Sequence, residues 1–127
     1  MKVLLSASGL IRQGPWLTRQ LESAALIIAV DGGLRHVTAA GHVPQRLLGD
    51  LDSADPAELA ELAGTEIVRF PADKDASDLE LALDDITGLG ATEVTVAGAL
   101  GLRHDHGLTN LLVTARWHDE HDVPICL

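Results

Sequence analysis

Short, continuous apolar runs alternate along this chain with segments of helical spacing, and this alternation restricts the possible folds more than any other feature. The segments predicted to be strands cover residues 2–7, 26–30, 47–48, 66–70 and 94–97. Continuous apolar runs are typical of strands that are covered on both faces, and strands that alternate with helices imply parallel crossovers. The sequence therefore predicts an α/β fold with a doubly wound, largely parallel sheet and helices on both faces.

Helical spacing is predicted between these runs, at residues 16–23, 34–40, 56–63, from Ser77 onward, and at 106–118. The helix at Ser77 is the clearest, because Ser77 and Glu80 have capping-box spacing and an apolar face repeats behind them. The helix at 106–118 has an apolar stripe that places His106 and Asn110 on the opposite side, facing a ligand or water. The stripe consists of Leu108, Leu111, Leu112 and Ala115. A last apolar run covers residues 123–127.

Composition excludes several classes of partner. At 127 residues the chain has the size of one domain, and its net charge of -10 and 2% aromatic content argue against a nucleic-acid partner. The single cysteine, Cys126, cannot form an internal disulfide, and no apolar stretch reaches membrane-spanning length. We therefore expect a soluble cytoplasmic protein with neither a nucleic-acid nor a membrane partner.

Acidic residues are concentrated in one part of the chain. Between Asp50 and Asp85 lie 12 of the 19 acidic residues but only two of the nine basic ones. Asp50 and Asp52 follow an apolar run at a spacing that puts both carboxylates on one side of an extended backbone. Two such charges repel each other unless a cation lies between them, and Mg²⁺ prefers oxygen ligands of this kind. An acidic turn is the alternative interpretation.

Polar residues also follow the other predicted strands. Asp31, Asp50, Asp52, Asp73 and Arg103 all come just after a run, so one edge of the sheet collects the polar chemistry. After Asp31, two glycines would let the backbone approach a ligand closely, although a simple turn has the same composition. Neither a dinucleotide-binding glycine fingerprint nor a Walker A lysine motif occurs. Any nucleotide would therefore be held through metal and side chains.

The cationic and histidine motifs each have two interpretations. Lys74 and Arg103 are either phosphate-binding cations or partners in surface charge pairs. His118 and His121 are expected near a helix C-terminus, where imidazole complements the helix dipole. A zinc site is disfavoured, because the sequence shows no set of four ligands.

Four ordered motifs resemble the catalytic domain of the thiamine pyrophosphokinase family. They are DGG at 31–33, GDLDS at 49–53, DKDASDLELAL at 73–83 and GALGLRHDHGLTN at 98–110. The resemblance implies Mg²⁺-dependent transfer of diphosphate from ATP to the hydroxyl of thiamine, which yields AMP and thiamine diphosphate. The Mg²⁺ ligands that it implies are Asp31, Asp50, Asp52 and Asp78.

The same resemblance implies contacts to the nucleotide or its phosphates from Asp31, Gly32, Lys74, Ser77, Arg103, Asp105, His106 and Asn110. It implies catalytic roles for Asp52, Asp78 and Arg103. Which carboxylate takes the hydroxyl proton stays open.

Members of this family usually continue into a β-rich domain that helps to form the thiamine pocket and a homodimer. We expect residues 1–127 to be a single ATP- and Mg²⁺-binding domain without that second domain, as the catalytic portion of a longer protein. The alternatives are a diphosphokinase for a pterin-like alcohol and a nucleotide-binding module without turnover.

Overall fold

A computed structural model describes residues 1–49, 57, 62, 64–69, 78–99 and 104–126, and for residues 78 and 104–107 it describes the backbone alone. The strands are β1 (Lys2–Ser6), β2 (Leu26–Val30), β3 (Arg46–Gly49), β4 (Glu66–Arg69), β5 (Glu93–Ala97) and β6 (Ile125–Cys126). The helices of these residues are α1 (Pro15–Ser23), α2 (Leu34–Ala39), α3 (Asp78–Ile86) and α4 (His104–His121). A 3₁₀ turn at Asp31–Gly33 leads directly into α2.

The six strands form one sheet in the order β4-β3-β2-β1-β5-β6, and every pair is parallel. The chain adds strands outward from β1 to β4 and then crosses back to place β5 on the other side of β1. In open parallel sheets the loops diverge at such a reversal and leave a crevice at the carboxyl ends of the strands. The predicted α/β fold with a parallel sheet is confirmed.

Alternation along the strands divides the core between the two faces of the sheet. One face packs against α3 and α4 and includes Val3, Leu5, Ile28, Val30, Leu48, Val94 and Val96. The other face packs against α1 and α2 through Leu4, Ile27 and Ala97, and a smaller cluster joins Ala29 and Leu47 to Leu34. Strands covered on both faces need apolar residues at every position, which explains why the runs in the sequence are continuous.

The predicted elements match the observed ones within three residues wherever the structure describes them. The run at 47–48 lengthens to Arg46–Gly49, and the run at 123–127 contains the short strand Ile125–Cys126. Of the predicted helix at 56–63, only the helical Ala57 and residue 62 are described. The capping position Ser77 lies outside the described residues. No helix in the described part of the chain is long and apolar enough to cross a membrane.

The predicted apolar stripe of α4 is wrong as a packing face. Leu108 and Leu112 are 61% and 63% exposed, and Leu111 is also exposed. The buried side of this helix instead carries Val113 and Trp117, and Trp117 is only 5% exposed. Trp117 donates its indole N–H to Thr87 Oγ1 at 3.3 Å and stacks on His121 with ring centroids 4.8 Å apart. The larger buried area of the indole fixes the rotation of the helix and turns the leucines outward.

This rotation predicts that truncation of two neighbouring residues of α4 lowers the free energy of unfolding by very different amounts. Val113→Ala removes two buried methyl groups and should lower the free energy of unfolding by about 2 kcal/mol. Leu112→Ala removes more carbon atoms but from an exposed position, so a change below about 0.5 kcal/mol is expected. Urea denaturation of both variants measures the difference. A larger loss in Leu112→Ala than in Val113→Ala would contradict the observed helix rotation.

Candidate active site

Four segments that follow strands lie side by side at the carboxyl edge of the sheet. They are residues 7–14 after β1, Asp31–Gly33 after β2, Gly49 at the end of β3, and residues 98–99 after β5. Because β3, β2, β1 and β5 are adjacent in the sheet, their ends meet at one place. The strand order thus brings together segments that are far apart in the sequence.

Of the acidic residues predicted at this edge, Asp31 is the one whose position the structure describes, and its backbone conformation is unusual. Its φ angle is +47°, in the left-handed region that residues other than glycine rarely adopt, although Asp and Asn tolerate it best. Its Oδ1 atom is buried and has no hydrogen-bond partner among the described residues. A buried carboxylate oxygen without a donor is costly unless a cation compensates it. The position therefore fits a metal ligand.

Gly49 makes this arrangement possible from the neighbouring strand. A Cβ atom at Gly49 would lie 1.8 Å from Asp31 Oδ1, and its φ of +143° also favours glycine. The end of β3 thus closes directly over the Asp31 carboxylate, and Asp50 and Asp52 follow in the sequence. Their placement, and that of the Asp78 side chain, lies outside the described residues. Within the described residues no three His, Cys, Asp or Glu side chains form a metal-sized group.

The two glycines after Asp31 serve different purposes. A Cβ at Gly33 would lie 1.8 Å from the carbonyl oxygen of Ser6, and Ser6 Oγ donates to the Gly33 carbonyl at 2.9 Å. Gly33 is therefore needed for packing against β1, which corrects the expectation that both glycines allow a ligand to approach. Gly32 lines a cavity together with Asp31. Its predicted contact with a nucleotide stays a prediction.

That cavity has a volume of about 460 Å³. Besides Asp31 and Gly32 it is lined by Ser8, Gly9, Leu10, Arg35 and His36. Sequence reasoning did not select these five residues. The signal that was available was their position, because Ser8–Leu10 follow β1 and Arg35 lies one helical turn beyond Asp31. Since β1 and β2 are neighbours in the sheet, the two segments face each other.

A short hydrogen-bond chain fixes one wall of this cavity. The Gly9 N–H donates to the Gly98 carbonyl at 2.7 Å, and the Gly9 carbonyl accepts from His36 Nε2 at 2.8 Å. Gln13 Nε2 donates in turn to the His36 carbonyl at 3.2 Å. The segment after β1 is thereby tied to α2 on one side and to the segment after β5 on the other.

Asn110 lies opposite the leucines, as predicted, but the leucines are exposed and Asn110 is on the side of α4 that faces the protein. Its Nδ2 atom donates to the Ala99 carbonyl at 2.7 Å, so it fixes the segment after β5. Its role as a nucleotide contact stays a prediction. The side chains of Asp105 and His106, which begin the same helix, and the whole of Lys74, Ser77 and Arg103 lie outside what the structure describes.

The histidines near the end of α4 lie where the sequence placed them. His118 Nδ1 donates to the Val123 carbonyl at 2.8 Å, and His121 Nδ1 donates to the Trp117 carbonyl at 2.9 Å. Each imidazole therefore forms a hydrogen bond to a backbone carbonyl in the last turns of the helix or just after it. One ring nitrogen of each histidine is thus used by the fold.

Comparison with known proteins assigns the family. The model of the thiamin pyrophosphokinase catalytic domain matches residues 17–127. The chain belongs to this family. The thiamine pyrophosphokinase of Bacillus subtilis (strain 168) is 34% identical over 99 residues, which is 76% of this chain and 46% of the relative.

Solved structures of the family have the same fold. The crystal structure of Bacillus subtilis thiamine pyrophosphokinase matches with a TM-score of 0.83 and 26% identity over 98% of this chain. The Geobacillus thermodenitrificans enzyme gives a TM-score of 0.78 and 26% identity, also over 98% of this chain. This chain spans 59% and 58% of those two chains, respectively. The likeness therefore covers the catalytic-domain fold and not the full length of these thiamine pyrophosphokinases.

Proposed function

We propose that this domain transfers a diphosphate group from ATP to the hydroxyl of thiamine and yields AMP and thiamine diphosphate. The family match over residues 17–127 carries the proposal. The buried Oδ1 atom of Asp31, which has no partner in the described part of the chain, supports it, because phosphoryl-transfer sites need carboxylates for a metal ion.

The proposed metal is Mg²⁺, and its proposed ligands are Asp31, Asp50, Asp52 and Asp78. When bound, such an ion neutralises charge that develops on the phosphate oxygens. Asp31 contributes a carboxylate oxygen that has no donor among the described residues, and Gly49 keeps the space above it free of a side chain. These two structural observations support the metal site independently of the family match.

The remaining roles are those that the family resemblance implies. The hydroxyl oxygen attacks the β-phosphorus, the bond from that phosphorus to the oxygen bridging the α- and β-phosphates breaks, and AMP leaves. The hydroxyl proton passes to a carboxylate of the site, for which Asp31, Asp50, Asp52 and Asp78 are all candidates. Arg103 would stabilise the charge on the phosphates in the transition state. Lys74, Ser77, Asp105, His106 and Asn110 would hold the nucleotide.

A second candidate function follows from the coverage of the relatives. This chain spans less than half of the curated Bacillus subtilis relative, so further residues could complete the acceptor pocket and a homodimer. A nucleotide-binding module that turns nothing over is therefore the competing function. A related diphosphokinase for a pterin-like alcohol is the competing enzyme.

Two measurements on the chain distinguish these functions. Calorimetric titration with a non-hydrolysable ATP analogue, with and without Mg²⁺, should show binding that depends on the metal. Incubation with ATP and Mg²⁺ should then release AMP when thiamine is added, with thiamine diphosphate formed in equal amount. Metal-dependent binding without AMP release favours the binding module. Release with a pterin-like alcohol but not with thiamine favours the other enzyme, and failure to bind in a folded protein contradicts the nucleotide site.

A further inference from the structure

We propose that the cavity between Asp31 and Arg35 receives the phosphate chain of the nucleotide and that Arg35 contacts the phosphate oxygens directly. The inference rests on the proposed function, because it assigns a part of the same site. Arg35 belongs to none of the motifs that mark the acidic centre. Arg35 is assigned to the site only because it lines the cavity.

The charges that line the cavity are complementary to a metal-bound polyphosphate. Asp31 and Arg35 both line the cavity, so an acidic and a basic residue lie on it together. The buried Oδ1 atom of Asp31 has no hydrogen-bond donor among the described residues. Arg35 is exposed and forms no salt bridge with any other described residue, unlike Arg46 and Arg116, which pair with acidic side chains. A phosphate chain needs both kinds of group, since the carboxylate holds the cation and the guanidinium binds the anionic oxygens.

The positive charge of Arg35 disfavours binding of thiamine, the other proposed substrate, in this cavity. The thiazolium ring of thiamine is positively charged, so an exposed guanidinium on the cavity repels it. A neutral base or ribose would leave the guanidinium without an anionic partner. The phosphate chain is therefore the part of the substrates that this cavity fits best. Its volume of about 460 Å³ lies within the range of small-molecule sites.

The wall opposite Arg35 is held in place before any ligand binds. Gly9 is fixed on both sides, by His36 Nε2 and by the Gly98 carbonyl. His36 follows Arg35 directly on α2, so the residue that anchors the wall and the proposed phosphate contact share one helix. A pre-formed cavity lowers the entropic cost of binding a flexible chain of phosphates.

The test compares Arg35→Gln with Arg19→Gln, which removes an equally exposed arginine on α1 that does not line the cavity. Each variant of the full chain is titrated in the presence of Mg²⁺ with a non-hydrolysable ATP analogue and with inorganic tripolyphosphate. Arg35→Gln should lower the affinity for both ligands about ten- to a hundredfold, since hydrogen bonds to charged groups are strong. Arg35→Lys should restore part of the loss, and Arg19→Gln should stay within about twofold. Thermal denaturation checks that every variant is folded.

Each other outcome has a defined meaning. If the wild-type chain binds both ligands and Arg35→Gln binds them equally well, the inference is overturned while the proposed function stands. If Arg35→Gln loses affinity for the ATP analogue but not for tripolyphosphate, Arg35 contacts the base or ribose, and the assignment to phosphate is wrong. If the folded wild-type chain binds neither ligand, the proposed function fails first and the inference fails with it.

Discussion

Gly33→Ala should lower the free energy of unfolding by more than about 4 kcal/mol, which is enough to unfold many domains of this size. The added Cβ would lie 1.8 Å from the Ser6 carbonyl oxygen and 2.4 Å from the Ser6 carbonyl carbon. Both atoms belong to the backbone of β1, which is paired with strands on both sides and cannot move away. Circular dichroism and urea denaturation would measure the loss.

Gly14→Ala is the matched control for this variant. A Cβ at Gly14 meets nothing within 4 Å, and its φ of 160° is extended backbone that alanine also adopts. Its expected cost is about 1 kcal/mol or less, because Gly14 precedes α1 at the N-cap position. If Gly33→Ala proved as stable as Gly14→Ala, the 3₁₀ turn would not pack against β1 as described.

Asp31→Asn should weaken Mg²⁺-dependent binding of an ATP analogue about a hundredfold or more while the protein stays folded. The change removes the negative charge that would hold the ion but keeps the shape of the side chain. Asparagine also tolerates the φ of +47°, so the backbone need not change. Without ligand, the variant should be at least as stable as the wild type, because a buried carboxylate oxygen without a donor is replaced by a neutral amide.

Melting curves of each protein with and without ligand, together with a calorimetric titration, test this pair of opposite effects. The wild type should melt at a higher temperature when Mg²⁺ and the analogue are added, and Asp31→Asn should lose that rise. Asp119→Asn, which removes an exposed acid on α4, is the charge-matched control and should keep it. A full ligand-induced rise in Asp31→Asn would exclude Asp31 from the metal site.

The fold was predictable from the sequence because its central strands contain short, largely apolar runs. A parallel sheet covered on both faces leaves little polar interruption in a strand, so even the brief run at Leu47 and Leu48 marked a real element. The rotation of α4 was not predictable in this way. Its leucines give the more hydrophobic stripe, but Val113 and Trp117 satisfy the same helical period one face away. The contact of Trp117 with Thr87, which follows α3, shows which of the two faces packs against the rest of the protein.

The sequence pointed to Asp31 and Gly32, but not to the residues that the neighbouring strand brings beside them. Asp31 and Gly32 follow a strand in a recognisable pattern, and the structure places both on the cavity. Ser8, Arg35 and His36 have no pattern of their own. They line the cavity because β1 and β2 are adjacent, which the sequence alone does not specify.

The doubly anchored peptide of Gly9 also limits how this scaffold can be re-engineered. Many nucleotide-binding proteins wrap a glycine-rich loop around phosphates and donate its free backbone N–H groups to them. Here the N–H of Gly9 is already committed to the Gly98 carbonyl. Inserting such a loop after β1 would therefore break a link between two walls of the site before any phosphate arrived. Changes to this cavity are better sought at Arg35 on α2, which lines it and is not one of the two residues that anchor Gly9.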